Sequence, residues 1–249
     1  MSDQQVYQKV VNILAKQIFL GKLKPESKLP TEKKLSEEMK VDRTSLRVGL
    51  KQLESMKVLS IRQGDGIYVK DYLKNAGLDF LGFTFQQFES DSDKLDVDSY
   101  IMDEIWEFWI MFFPPVLELA IKRGSTRDFK SVADLIALEE KCIMDKNKLI
   151  DVAIRLQDKI AEIVNNTIVL LLFNSCRPLR KKIIKMLVHT MDATGLKNLI
   201  DAEKAFLQKA ISGSDAEIAE GVNALRAQYE SYRTQMRKLM SSSIERGAS

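Results

Sequence analysis

Three helical stripes followed at once by a glycine-bearing hairpin fill the amino-terminal third of the chain, and that order leaves few folds to choose from. Val6, Val10, Ile13, Leu14 and Ile18 recur at helical spacing, and Gly21 stops the run. The segment Lys22-Leu-Lys-Pro-Glu-Ser-Lys-Leu-Pro30 carries two prolines, which break helix and hold the chain extended. Thr31 can cap a short second helix, with Glu32 near its positive end and Leu35 and Met39 facing inward. Lys40-Val41 makes a tight connection, and Asp42 can cap a third helix whose Leu46, Leu50 and Leu53 form its inward stripe. Two short strands, Val58-Leu-Ser-Ile-Arg62 and Ile67-Tyr-Val-Lys70, then flank Gln63-Gly-Asp-Gly66. The glycines of that turn supply the positive backbone angles a tight hairpin needs.

Three helices and a hairpin over residues 1–71 make a winged helix-turn-helix, whose third helix enters the major groove of DNA with its amino-terminal end toward base edges. Arg43, Thr44 and Arg47 stand at that end, off the buried stripe. A guanidinium can donate two hydrogen bonds to guanine, and a threonine hydroxyl reaches a base or a phosphate. Arg62, Gln63 and Gly64 at the wing could approach the adjacent backbone or the minor groove. Charge agrees with this placement. Residues 1–75 hold 15 Lys+Arg against 9 Asp+Glu, a net +6, while residues 76–249 hold 23 against 26, a net −3. A basic module on a mildly acidic body suits a polyanion partner.

The run Gly21…Leu29-Pro30-Thr-Glu-Lys-Lys-Leu35…Val41-Asp-Arg-Thr-Ser-Leu-Arg47…Leu50…Leu53-Glu54…Ile61-Arg-Gln-Gly64-Asp-Gly66-Ile-Tyr-Val69 resembles the GntR family of bacterial transcription regulators. The resemblance is confined to the amino-terminal module, where its Leu-Pro, Arg-x-x-x-Arg and Gly-x-Gly elements occur in order. It implies operator contacts at Lys33, Arg43, Thr44, Arg47, Gln63 and Gly64. Three positions depart from the family pattern: Glu26 replaces a usual Gly, Gly49 a common Ala, and Asp65 a frequent basic residue between the wing glycines.

Residues 72–98 read as a linker, ending in the acidic stretch Glu89–Asp98, and residues 99–243 as an all-helical effector-binding and dimerisation domain. Six or seven helices fit that length as an antiparallel bundle, and Pro114-Pro115 should kink or break the first of them. Ser125-Thr-Arg-Asp128 can open one helix, and Ser214-x-x-Glu217 is a capping box ahead of a long apolar stripe. Gly124-Ser-Thr126-x-Asp128, Asn165-Asn166 and Ala210-Ile211-x-Gly213-x-Asp215 resemble the sensing domain of the FadR branch of that family, and Asn75–Leu81 resembles its linker.

Many members of that branch hold a metal with one Asp and three His. The resemblance puts Ala153, Gln157, Lys204 and Arg226 in those places, and two cations would repel a metal, so a metal-free site is expected. Lys204 and Arg226 could instead pair with an effector carboxylate or phosphate, with Gln157 and Trp109 completing the expected set. The aromatic helix of Trp106, Phe108, Trp109, Phe112 and Phe113 reads as buried packing, and Arg177, Arg180, Lys181, Lys182 and Lys185 read as a solvated basic face.

What remains is set by exclusion. Cys142 and Cys176 are too few for a disulfide scaffold, and His189 is the single histidine. No nucleophile–base pair, carboxylate cluster or phosphate-cradling glycine loop supports an enzyme, and no cofactor is expected. The segment Met1–Val6 lacks a signal-peptide pattern and no apolar run approaches membrane-spanning length, so no membrane partner is expected and a cytoplasmic protein is. The expectation is a homodimer on double-stranded palindromic operator DNA, answering to a small-molecule effector, an acyl-CoA or a small organic acid. The competing reading is an architectural DNA-binding dimer that senses nothing.

Overall fold

The computed structural model describes residues 3–90 and 99–247, and the chain divides into two compact units, residues 1–92 and 93–249. The first unit runs α1 (Asp3–Phe19), α2 (Glu32–Met39), α3 (Arg43–Ser55), β1 (Leu59–Arg62), β2 (Gly66–Val69), α4 (Tyr72–Asn75) and α5 (Leu78–Ser90). Its core forms where the stripe Val10, Leu14 and Ile18 of α1 meets Leu46, Leu50 and Leu53 of α3. The caps act as their residue types require. Thr31 Oγ1 accepts from Lys34 N at 3.4 Å, and Asp42 Oδ1 accepts from Ser45 N at 2.8 Å. Between those helices Lys40 takes a left-handed conformation with φ 53° and turns the chain sharply.

The hairpin pairs Leu59 with Val69 and Arg62 with Gly66, antiparallel. The proline-bracketed segment joins it as a third extended strip: Leu29 N donates to Ile67 O and Val69 N to Ser27 O, at 2.8 and 2.9 Å. Residues 72–90 do more than link. They carry α4 and α5, and Phe80 of α5 is buried against Phe19 and Tyr72, with ring centroids 6.4 and 5.7 Å away. The expected linker is therefore helical over most of its length through residue 90, because Phe80 finds an aromatic seat on α1. The acidic stretch over residues 91–98 lies outside the described residues.

The second unit holds seven helices among the described residues: α6 (Ser99–Arg123), α7 (Thr126–Lys141), α8 (Lys146–Val164), α9 (Thr167–Ser175), α10 (Arg177–Thr190), α11 (Ala193–Ser212) and α12 (Asp215–Gly247). Ser125 and Asp128 close a reciprocal cap at the start of α7, and Ser214 and Glu217 do the same ahead of α12. Asn165 ends α8 with φ 48°, and Asn166 Oδ1 accepts from Ile168 N and Val169 N to begin α9. Of the expected kink or break at Pro114-Pro115, the break does not occur, and α6 continues through both prolines. The helix is held on both sides of them by buried packing, with Trp109 and Phe113 before and Val116 and Ala120 after.

An ion cluster clasps α6 to α12. Asp103 receives Arg233 Nε and Nη2 at 2.7 and 2.6 Å, and Arg237 binds the same carboxylate. The two guanidiniums hold the Asp103 carboxyl far below the ordinary carboxylate range. No helix among the described residues is long and apolar enough to cross a membrane. Cys142 and Cys176 are free thiols.

Candidate nucleic-acid interface and bundle cavity

In the first unit, the cap at Asp42 fixes where α3 begins, and its amino-terminal turn presents Arg43, Thr44 and Arg47 to solvent. The inward stripe lies on the opposite side, with Leu46, Leu50 and Leu53 almost fully buried. Arg47 Nε donates to Glu32 Oε2 at 2.8 Å, so α2 holds the guanidinium of α3 in place. Lys33, on the first turn of α2, is also exposed.

The wing is tied by its own acid. Asp65 Oδ1 accepts from Tyr68 Oη at 2.9 Å and from Lys28 Nζ at 3.2 Å, which holds its carboxyl below the ordinary range. Arg62 lies over the Tyr68 ring, 4.4 Å from its centroid. Gln63 and Gly64 form the exposed tip, with Gly64 at φ 77°. The acid between the wing glycines thus holds Lys28 and Tyr68 and pairs more loosely with Arg62 at 3.8 Å, while Arg62 and Gln63 stay at the surface.

In the second unit, a cavity of about 340 Å³ lies between the helices. Its walls are overwhelmingly apolar, with Trp109 stacked on Phe113 at a centroid distance of 4.7 Å. Of the four residues expected at an effector, Trp109 and Gln157 line this cavity. Lys204 and Arg226 do not, and that expectation is corrected. Lys204 pairs with Glu140 at 2.8 Å and Asp201 at 3.6 Å on the outside of α11, and Arg226 is exposed on α12. One residue along a helix is a rotation of about 100°. Glu203, next to Lys204, is therefore the residue that faces the cavity.

Glu203 meets Glu139 there, and sequence reasoning missed both. Glu139 is 3% exposed, and the Oε2 atoms of both residues are buried without a hydrogen-bond donor, as is Trp106 Nε1 without an acceptor. Burial and the facing carboxyl push Glu139 well above the ordinary carboxylate range, and burial alone pushes Glu203 the same way. Tyr229, also on the lining, is pushed upward by burial and by these acids. The expected solvated basic face also changes, because Arg180 is 1% exposed. It donates to Gln157 Oε1 at 3.1 Å, Asp158 Oδ1 at 2.7 Å and Phe173 O at 3.1 Å. No group of three or more His, Cys, Asp or Glu suited to a metal occurs among the described residues.

The profile of "Bacterial regulatory proteins, gntR family" matches residues 6–69, the span from α1 through β2. Residues 6–69 carry a GntR-type DNA-binding domain, and the chain as a whole is similar to transcription regulators. It is 29% identical to the Mycobacterium tuberculosis HTH-type transcriptional regulator Mce2R over 196 residues, or 78% of each chain. The Escherichia coli mannosyl-D-glycerate transport/metabolism system repressor MngR is 38% identical over 71 residues, 28% of this chain and 30% of that one. Among solved structures, that of Lar, which controls the Listeria monocytogenes agr system, shares the fold. It matches at TM-score 0.59 and 16% identity over 96% of this chain and 98% of that one.

Proposed function

We propose that this chain is a GntR-family regulator that binds a palindromic operator as a homodimer and reads bases with Arg43 and Arg47, with Thr44 and Lys33 on bases or phosphates. Arg62, Gln63 and Gly64 follow the neighbouring groove. The observation that carries this reading is the solvent-facing amino-terminal turn of α3, whose polar side chains are free of the core that anchors the rest of the helix. A dimer supplies two such turns, and matched half-sites follow from its two-fold symmetry. The helical unit is the sensing and pairing domain of a FadR-type regulator, and its cavity is the effector site. Effector binding shifts the population between placements of the DNA-reading modules, which sets operator affinity.

The cavity supports a compact effector over an acyl-CoA. Its volume falls at the small end of ligand sites, and Lys209 is the one cation among its described lining residues, against the many phosphate charges of a coenzyme A. The test is selection of binding sites from random duplexes, followed by titration of the selected operator. A two-fold site is expected, with Arg43→Ala or Arg47→Ala costing ~1–3 kcal/mol of operator affinity. Unchanged affinity in both variants overturns the assignment of the reading turn.

A further inference from the structure

We infer that the bundle cavity takes a lipophilic monocation: a compact aromatic or aliphatic body ending in one ammonium, seated between Glu139 and Glu203. The inference rests on reading the cavity as the effector site and names the chemistry that fits it. Two observations point the same way. The walls are apolar and aromatic over several helices, which selects an apolar body. Against that wall stand two facing carboxyls, Glu139 and Glu203, which hydrogen-bond each other when one is protonated and whose buried Oε2 atoms meet no donor from any other residue. Buried polar atoms without partners are costly and rare, and an ammonium brings three donors and the compensating charge.

Other ligand classes fit less well. An anionic head would have to enter an apolar space facing two acids, and Lys209, the cation on the lining, is solvent-exposed. A neutral alcohol could give only one donor to the pair. Among the described residues, the other titratable groups acting on the carboxyls are Cys142 facing Glu139, Tyr229 facing both acids, and Tyr232 facing Glu203. Burial pushes both tyrosines upward, and no cation acts on either acid, so the pair has no resident countercharge. Without ligand, burial disfavours the charged form of both acids, and the facing carboxyl adds to this at Glu139. When the ammonium enters, a carboxyl gives up its proton to the buffer, and the carboxylate pairs with the cation.

The test compares 4-phenylbutylamine, 4-phenylbutanol and 4-phenylbutyrate by isothermal titration calorimetry on the full chain. Each titration is run in two buffers of different ionisation enthalpy. The expected result is an amine at least about ten-fold tighter than the alcohol and the acid, with close to one proton released per amine bound. In Glu139→Gln and Glu203→Gln variants, amine affinity should fall toward that of the alcohol while alcohol affinity holds, which shows that the cavity is intact. Equal binding of alcohol and amine, tighter binding of the acid, or amine binding without proton release overturns the lipophilic-cation inference and leaves the effector cavity standing. Failure of all three probes to bind overturns the cavity reading and this inference together.

Discussion

At Gly49 the helices α1 and α3 approach so closely that a β-carbon would sit 3.0 Å from Val10 Cβ and 3.2 Å from Tyr7 O. The residue that departs from family usage is thus matched to the bulk of Val10. Gly49→Ala is expected to destabilise the DNA-binding domain by about 1–2 kcal/mol in a urea titration, by overpacking. Val10→Ala removes Cγ1, which would also sit 3.0 Å from that β-carbon, so the double variant should cost less than the two single variants added together. Glu26 is the reverse case. It sits at φ 64°, a left-handed angle that favours glycine, so the Gly-to-Glu departure leaves a strained residue at the turn. Both residues were visible in the sequence as oddities, but only the backbone angle and the neighbouring atoms say which one is strained and which one fits.

Among the elements, the α6–α12 clasp carries a pH dependence. Asp103 has a folded pKa far below its unfolded value, so its contribution is complete above about pH 4 and is lost as pH falls below that. Asp103→Asn should lower the melting point of the helical domain at pH 7, at a cost of about 2 kcal/mol given partial solvent screening of Arg237. The gap to the parent chain should narrow steadily in scans carried below about pH 3; a gap that persists at full width there would mean packing and not charge holds the clasp. The elements of the DNA-binding domain were legible because their signals are local: the caps at Thr31 and Asp42 act within three residues, and Gly64 and Gly66 shape their own turn. Helix α5 and the unbroken α6 were not, because Phe80 depends on Phe19 and Tyr72, and the two prolines of α6 are overridden by packing from other helices. Glu139 and Glu203 lie on different helices, and nothing in either local sequence marks them as neighbours. Lys204 and Glu203 differ by one helical step, the smallest shift that turns an outward side chain inward.

Over the whole molecule, positive charge is concentrated in residues 1–75, so the grip on DNA should weaken steeply with salt. A plot of log affinity against log salt is expected to lose about one unit of slope when Lys33, an exposed cation of the reading face, becomes alanine. If Lys33 points away from the duplex, the slope will not move. The tether between Glu32 and Arg47 has a further consequence for how such a protein searches a chromosome. On the proposed reading, Arg47 exchanges its carboxylate for a DNA contact, and on a wrong sequence that exchange would return little, so the protein would depart early and sample elsewhere. Glu32→Gln should linger a few-fold longer on random duplexes in a competitor-chase experiment, while its dwell on the true operator changes less. Fidelity here would come from an acid that makes every mistaken stop brief.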